Sequence, residues 1–446
     1  MTSPERRRGQ TIKAVVAAAA IAVTLAGCAS ASAPAATSGS FKEAKQDKNS
    51  TITVWADSSR LPTVQKYQEE NPNVKMKIVT YDGAPGTLQT KVALFDRAGS
   101  GWPDVVFTTA MSGIETSTSG KTPFAAPLDQ GIFPQSKIDG FAKGALDPCI
   151  VNGHLYCIRN DVAQNVFWYN KTLFDQFGYT VPKTWEDLQA LSDKVAEEHP
   201  GYVLGTVGDN NAPLVYFWAS ECPANTLDGK TFSSDTSSQK CTRVANLLDH
   251  MIANGTVVTD GVFSGAAYTQ KYSGKTLALV GPSWYGKYVF DAALKVPSGQ
   301  MAAAAPLTWA NDGTKSTGNV GGGLWWISSH SKNLAASSKL VQWLTTSNAA
   351  QESAPTYPAY APAAKAWLAN PENTSYFAND VAPAFTKAAA SIWSGWSQTS
   401  RVNQQTIWAN TILPQLVAKK TVLSTLPTWQ AQAEQLAGTV GYTVKK

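Results

Sequence analysis

The strongest constraint on the fold of this 446-residue chain is an alternation of strand-like and helix-like segments. Apolar residues recur at every second position in 51–56 and 74–81, and 103–109 is a third strand-like segment. Between them, 60–70 and 86–101 carry apolar residues at helical spacing. The order strand, helix, strand, helix, strand predicts a parallel sheet of the doubly wound α/β class.

The ends of the predicted strands supply the first candidate ligand contacts. Sheets of this class bind ligands outside the carboxyl ends of their strands. Trp55, Asp57 and Ser58 lie at the end of the first strand, and Ser112 follows the third. We therefore expect these four side chains near a ligand. An N-cap before the next helix is the alternative role for Asp57.

Later segments repeat the same pattern without a fixed-period repeat. The sequence predicts strands at 275–281 and 323–328. Thr184, with Asp187 three positions on, has the spacing of a capping box and predicts the start of a helix. The α/β pattern therefore continues through most of the chain.

The N-terminus reads as an export signal. Residues 1–27 combine a basic start with an apolar run at 14–27 that is short for a membrane span. The run ends in Leu-Ala-Gly-Cys, which resembles the bacterial lipobox and predicts a lipidated Cys28 on the outer face of the cell membrane. Residues 28–50 are small and polar and predict a flexible tether. The pair Arg7-Arg8 leaves both Sec and twin-arginine export open.

The net charge argues against a nucleic-acid partner. Removal of residues 1–27 takes away four basic side chains and one acidic one, so the formal charge falls from +5 to +2. The rest of the chain has no run of Lys or Arg.

Four cysteines remain after Cys28, and an even number in an exported chain suggests disulfides. Of the three possible pairings, Cys149–Cys157 and Cys222–Cys241 are favoured because each closes a short loop that contains turn residues. Metal ligation is the alternative, but the chain lacks a Cys-x-x-Cys motif and its histidines are scattered. We expect neither a metal nor another cofactor.

A set of motifs, in this order along the chain, carries a family resemblance. They are ITVWAD (52–57), WPDVV (102–106), PLD (127–129), NGHLYCIRND (152–161), WYNKTLFDQFGYTVPKTWEDL (168–188), LALVGPSWYG (277–286) and GGGLWWISSHSKN (321–333). With these motifs the chain resembles the extracellular sugar-binding proteins of bacterial ABC importers, the family that includes the maltose-binding protein.

The resemblance implies a two-lobe α/β fold like that of periplasmic binding proteins. Each lobe would be a doubly wound sheet flanked by helices, and hinge strands would join the lobes. The first lobe would comprise 51–159 and 318–346, and the second 160–317 and 347–446. The implied function is capture of a sugar, with an oligosaccharide favoured, and its delivery to transmembrane permease subunits. A monomer without enzymatic activity is expected.

The resemblance also implies which residues meet the ligand. Asn160, Asp161 and Gln164 would form a polar strip along the cleft, although capping of a turn is the alternative role for Asp161. Gly322 and Gly323 would let backbone approach the ligand, although a glycine-rich turn without a ligand is the alternative.

Aromatic rings would cover the apolar faces of a sugar. Trp284 lies in the loop after a strand of the second lobe, where the family commonly places a stacking tryptophan. Tyr357 lies in a proline-rich loop and Trp396 in a loop-like segment between helices. Together with Trp55 they are the candidate stacking rings.

Other functions find less support. Both SGKT sequences lack the first glycine of a phosphate-binding loop, because Glu115 and Thr269 stand at that position. A secreted glycoside hydrolase remains the alternative, with Asp57 and Asp161 as its paired carboxylates. A lipid-anchored adhesion or scaffold module is a third hypothesis, and it predicts no small ligand.

Overall fold

A computed structural model of the protein describes residues 41, 43–83, 86–109, 113–119, 123–263, 266–313 and 315–445. The strands are β1 Ile52–Ala56, β2 Met76–Thr80, β3 Val105–Thr108, β4 Ile150–Val151, β5 His154–Leu155, β6 Cys157–Arg159, β7 Asn165–Asn170, β8 Gly205–Thr206, β9 Thr226–Asp228, β10 Thr231–Ser233, β11 Val257–Val258, β12 Ala278–Pro282, β13 Met301–Ala304, β14 Leu324–Ile327 and β15 Thr443–Val444.

Helices surround these strands. They are α1 Leu61–Glu70, α2 Thr87–Ala98, α3 Ile114–Thr118, α4 Gln135–Ile138, α5 Lys171–Phe177, α6 Trp185–Glu198, α7 Gln239–Ala253, α8 Ala266–Tyr272, α9 Leu334–Thr346, α10 Asn348–Gln351, α11 Ala361–Ala369, α12 Pro371–Thr374, α13 Ala382–Ala390, α14 Trp396–Thr399, α15 Gln404–Ile407, α16 Leu413–Val417 and α17 Val422–Thr439. Within the described part of the chain, no helix is both long and apolar enough to cross a membrane.

The first sheet has the strand order β2-β1-β3-β14-β6. The strands β1, β2 and β3 are parallel, as predicted, and α1 and α2 lie between them in sequence. The strand β14 is antiparallel to both β3 and β6. The carboxyl ends of β1, β3 and β6 therefore share one edge of the sheet with the start of β14.

The second sheet has an antiparallel centre. Its middle strand, β7, pairs antiparallel with both β12 and β13. A parallel bridge between Val203 and Thr276 continues the sheet toward the parallel pair β8 and β11. The α/β sheet that the resemblance implied for this half of the chain therefore combines an antiparallel centre with a parallel part.

Three extended segments run side by side between the two sheets: 160–164, 317–323 and 355–359. Backbone hydrogen bonds join them, including Asn160 N to Gly323 O at 2.8 Å and Val162 N to Tyr357 O at 2.9 Å. Val320 N donates to Ala163 O at 2.9 Å. We call these three strips of backbone the connecting segments. They hold the facing edges of the two sheets close together.

Both predicted disulfides are present. Cys149–Cys157 spans the β4–β5 hairpin, whose turn residue Asn152 has a φ of 50°. Cys222–Cys241 joins the segment before β9 to the first turn of α7. The predicted pairing is therefore confirmed, and the first bond ties the hairpin to β6.

The predicted capping box at the start of α6 is also confirmed. Thr184 Oγ1 accepts a hydrogen bond from Asp187 N at 3.0 Å, and Asp187 Oδ2 accepts one from Thr184 N at 3.0 Å. These reciprocal bonds satisfy backbone donors that the first helical turn leaves free. A backbone hydrogen bond from Lys183 lowers the pKa of the Asp187 carboxyl most, and the bonds with Thr184 lower it further.

Candidate functional site

A cavity of about 500 Å³ lies where the facing edges of the two sheets meet the connecting segments. We call it the cleft. Its walls come from the start of α1, the end of β3, the loops after β8 and β12, and the segment 396–405. The lining residues are Arg60, Phe107, Thr109, Asp161, Asn210, Asn211, Leu214, Trp218, Phe263, Trp284, Tyr288, Asn319, Val320, Gly321, Gly322, Gly323, Thr356, Trp396, Thr399, Ser400, Val402, Asn403, Gln404 and Gln405.

Asp161 provides a fixed acceptor on the floor of the cleft. The residue is only 2% exposed. Its Oδ1 accepts hydrogen bonds from Gly323 N at 2.9 Å and from Asn160 Nδ2 at 3.1 Å. Among the described residues, none donates a hydrogen bond to Oδ2. One oxygen therefore holds the carboxylate in place, while the other can accept a hydrogen bond from a ligand.

Arg60 stands beside Asp161 at the N-terminus of α1. Its Nη1 lies 3.2 Å from Asp57 Oδ2, and its Nη2 lies 3.5 Å from Asp161 Oδ1. The guanidinium also lies over the ring of Phe107, 4.6 Å from the centroid. These contacts place the cation between two carboxylates and an aromatic face.

Trp284 lines the cleft from the loop after β12. Its Nε1 donates to Val320 O at 2.9 Å, which ties the indole to a connecting segment. Its other ring contacts are Phe263, Tyr285 and Tyr288, with centroids 4.9–6.3 Å away. Because its single N–H is used within the protein, Trp284 has only its ring surface to offer a ligand.

Trp396 lines the cleft from the start of α14. The guanidinium of Arg159 lies 4.8 Å from the centre of its ring. Arg159 is fully buried and donates through Nη2 to Asp161 O at 3.0 Å and to Gly321 O at 3.2 Å. Burial lowers the pKa of Arg159 to about 10, and the nearby Asp161 charge opposes this shift. Arg159 thus links the ring of Trp396 to two connecting segments.

The two predicted glycines both line the cleft. Gly322 has a φ of +89°, and a Cβ there would lie 1.8 Å from Arg159 Nη2. At Gly323 a Cβ would lie 2.2 Å from the ring of Phe107. Any larger residue would clash at both positions, so packing within the protein already requires glycine.

Three other residues predicted along the cleft lie behind its lining. Asn160 Oδ1 accepts from Trp325 Nε1 at 3.0 Å, and this bond positions the Asn160 side chain that donates to Asp161. Gln164 is fully buried and donates to Phe385 O at 3.2 Å. Tyr357 lines a separate, larger cavity of about 770 Å³, together with Arg159 and Trp396. That larger cavity has fewer hydrogen-bonding side chains than the cleft.

The residues predicted at the end of β1 also lie outside the lining. Trp55 packs against Tyr81 with ring centroids 5.1 Å apart. Asp57 Oδ1 accepts from Arg60 N at 2.9 Å in the turn before α1, but the N-cap residue of α1 is Arg60, so the N-cap role given as the alternative for Asp57 is wrong. Ser58 is exposed. Their direct contact with a ligand stays a prediction, and the hydrolase alternative gains no support because Asp57 does not line the cleft.

Two predicted residues, Ser112 and Cys28, lie outside the described residues. The carboxamides and hydroxyls of the cleft were not predicted. They come from Asn210 and Asn211 after β8, from Asn319, and from the segment 399–405. Their sequences carry no periodic or motif signal, and only the fold brings them together. Arg60 was also missed, because a basic residue before a helix usually faces solvent.

Two sheets joined by connecting segments around a lined cleft define a two-lobe binding protein. The sequence profile of the family described as "Bacterial extracellular solute-binding protein" matches residues 53–352. This match covers more than half of the chain, and the chain belongs to that family.

Individual relatives share less than a third of their aligned residues with this chain. The chain is 24% identical over 344 residues to the multiple sugar-binding protein of Streptococcus mutans, covering 70% of this chain and 75% of that one. It is 29% identical over 150 residues to an uncharacterized ABC transporter extracellular-binding protein of Pyrococcus horikoshii. The chain matches only about a third of the length of this archaeal relative, 33%.

The fold also matches solved structures. One is the ABC transporter associated binding protein from B. animalis subsp. lactis Bl-04 in complex with β-1,6-galactobiose. It aligns with a TM-score of 0.71 at 17% identity, over 89% of this chain and 99% of that chain. At this identity the likeness establishes the two-lobe fold, as the sequence predicted.

Proposed function

We propose that this protein captures a carbohydrate in the cleft and delivers it to the permease of an ABC importer. The observation that carries the proposal is the combination of rings and hydrogen-bonding groups around one cavity. Half-buried Trp284 offers a flat apolar surface and Trp396, only 3% exposed, adds to the lining, whereas Asp161, carboxamides and hydroxyls offer polar contacts. A sugar has apolar C–H faces and a rim of hydroxyl groups, so it matches both kinds of surface.

The size of the cleft and the names of relatives favour an oligosaccharide. A cavity of about 500 Å³ lies within the usual range of small-molecule sites. The related Streptococcus mutans protein is named a multiple sugar-binding protein, and one from Halalkalibacterium halodurans an arabinooligosaccharide-binding protein.

The lobe boundaries belong to the same proposal. The first lobe comprises 51–159 and 318–346, and the second 160–317 and 347–446. The chain then passes between lobes near 160, 318 and 347, close to the connecting segments. Rotation about these segments would close the cleft on a sugar, as hinge motions do in two-domain binding proteins.

Attachment to the outer face of the membrane is also proposed. Cleavage before Cys28 would leave a lipidated cysteine at the start of a tether, and the protein would act there as a monomer. Stable anchoring takes more than one acyl chain. Detergent partitioning of wild type and Cys28→Ser tests this, with wild type expected in the detergent phase and the variant in the aqueous phase. Wild type found wholly in the aqueous phase would contradict the lipid anchor.

A thermal-shift screen over a panel of sugars tests the central proposal. A ligand present at 100 times its Kd stabilises a protein by about 2.7 kcal/mol. The Asp161→Asn variant should then bind the best sugar more weakly by about 1.5–3 kcal/mol, because it loses a charged acceptor. Asp175→Asn is the control, since that side chain is 65% exposed on α5. A panel without any stabilising sugar would refute carbohydrate binding.

A further inference from the structure

The cleft contains almost no charge apart from one paired cluster. Among the described residues that line it, Arg60 and Asp161 alone carry a formal charge. Asp57 lies just behind Arg60 and contacts it through both carboxylate oxygens. We call these three residues the Asp57–Arg60–Asp161 cluster.

Within the cluster, the Arg60 guanidinium is already paired with two carboxylates and is not available to a ligand. One terminal nitrogen of Arg60 lies 3.2 Å from an Asp57 oxygen, and the other lies 3.5 Å from an Asp161 oxygen. The side chain of Arg60 is only 14% exposed. One positive and two negative side chains give the cluster a formal charge of −1, which the buried Arg159 behind the cleft floor offsets, because its Nη2 donates to Asp161 O at 3.0 Å. Neither of these two arginines is therefore available to pair with a ligand anion.

A ligand anion would therefore meet an unfavourable site. Moving an ionised group out of water costs much free energy unless a counter-charge receives it. The one cation among the described lining residues is already held by two carboxylates, and a ligand anion would have to compete with both. The remaining polar groups are carboxamides and hydroxyls, which both donate and accept hydrogen bonds as sugar hydroxyls do.

We propose that the cleft selects neutral sugars and rejects sugars that carry a carboxylate, phosphate or sulfate group. The inference rests on the proposed carbohydrate function and adds the charge class of the ligand. Asp57 has a positioning role here, because it holds and neutralises Arg60.

Matched pairs of probes test the inference in the wild-type protein. Suitable pairs are lactose with sialyllactose, and a methyl-esterified oligogalacturonide with the same oligomer as the free acid. They are measured by thermal shift with neutral gluco-, xylo- and galacto-oligosaccharides, and every sugar that binds is then titrated by calorimetry. The best binder should be neutral, and its acidic counterpart should bind about 100-fold more weakly or not at all.

A variant tests the role of Asp57. Asp57→Asn removes one negative charge behind the cleft wall and raises the cluster charge from −1 to 0. The acid-to-neutral affinity ratio should rise about tenfold, whereas a purely structural role would weaken both sugars equally. Asp175→Asn makes the same change in net charge at a remote exposed site and should leave the ratio unchanged. The unfolding midpoint identifies a variant that has lost its fold.

The outcomes separate this inference from the function on which it rests. An acidic sugar that binds as tightly as its neutral partner, or better, overturns the charge selection and leaves carbohydrate binding intact. Equal changes of the ratio in Asp57→Asn and Asp175→Asn overturn the role of Asp57. If neither neutral nor acidic sugars bind, both the inference and the proposed function fail. The wild-type pairs decide the main point even if Asp57→Asn does not fold.

Discussion

Trp284 is the residue whose surroundings best separate a ligand role from a packing role. It is half-buried, lines the cleft and donates its N–H to Val320 O at 2.9 Å. Trp168, whose Nε1 donates to Pro282 O at the end of β12, is by contrast 0% exposed. A ring held at one edge, with surface toward a cavity, can stack on a sugar without reorganising.

We predict that Trp284→Ala weakens sugar binding by about 2 kcal/mol or more, the size expected of an interface hot spot. Calorimetry with the best sugar measures the affinity, and thermal unfolding without sugar measures the stability. Trp102→Ala is the control, because Trp102 is also half-buried, stacks on His330 at 3.7 Å and does not line the cleft. Unchanged affinity in Trp284→Ala, with a much lower midpoint, would assign Trp284 to the core.

A second prediction concerns the glycine that lies against the buried arginine. Gly322→Ala would combine a φ of +89° with a Cβ 1.8 Å from Arg159 Nη2. We expect it to lower the free energy of unfolding by about 3 kcal/mol, from backbone strain and displacement of Arg159. Gly299→Ala isolates the strain, since Gly299 has a φ of +80° and a Cβ added there would meet no atom within 4 Å. Equal losses in the two variants would show that the Arg159 contact is unimportant.

Among the elements, α7 is tied to the segment before β9 by Cys222–Cys241. We predict that replacing both cysteines by serine lowers the free energy of unfolding by about 3 kcal/mol, mainly because the unfolded chain gains freedom. Denaturant unfolding of the double variant measures this loss. Neither cysteine lines the cleft, so sugar affinity should stay within about twofold of wild type. A large affinity loss with little change in stability would contradict this.

The local elements were the most predictable part of the structure. The predicted strand 51–56 is β1 at Ile52–Ala56, and the predicted helix 60–70 is α1 at Leu61–Glu70. Both follow from hydrophobic periodicity, which a single sequence displays. The antiparallel insertion of β14 beside β3 joins residues more than 200 positions apart. No local pattern specifies such a pairing, and the order of family motifs supplied only the overall plan.

The site was less predictable than the fold. Asp161 and Trp284 lie in family motifs, and the structure places both on the cleft. Asn160 and Gln164 have the same polar character, but their side chains turn into the protein and satisfy internal partners. Sequence gives the chemistry of a side chain, whereas its direction depends on packing from distant elements. Arg60 was not predicted but does line the cleft, because it pairs with Asp161 about a hundred residues away in the sequence.

At the scale of the whole molecule, Arg401 ties the segment that forms one wall of the cleft to α3 and β4. Its Nη1 lies 2.9 Å from Glu115 Oε1 on α3, and its Nη2 donates to Ile150 O at 2.8 Å. Tyr442 also donates to Glu115 Oε1, at 2.6 Å. Arg401 belongs to the segment whose neighbours Ser400 and Val402 line the cleft. These contacts hold that wall in place without any ligand.

We predict that Arg401→Met weakens sugar binding about fivefold and speeds sugar release, because the wall loses its ties to α3 and β4. Arg243→Met is the matched control. Arg243 also has a partly buried ion pair, 2.7 Å from Asp312, but it does not line or border the cleft. Stopped-flow fluorescence measures the release rate in both. Equal effects in the two variants would mean that Arg401 acts only through general stability.

The most direct test of the central claim is a crystal structure of the protein with the sugar that stabilises it most. The account predicts that the sugar occupies the cavity between the two sheets. One hydroxyl should donate to Asp161 Oδ2, and an apolar face of the sugar should lie on the ring of Trp284. A sugar bound elsewhere, or one in the cleft that touches neither Asp161 nor Trp284, would contradict the account.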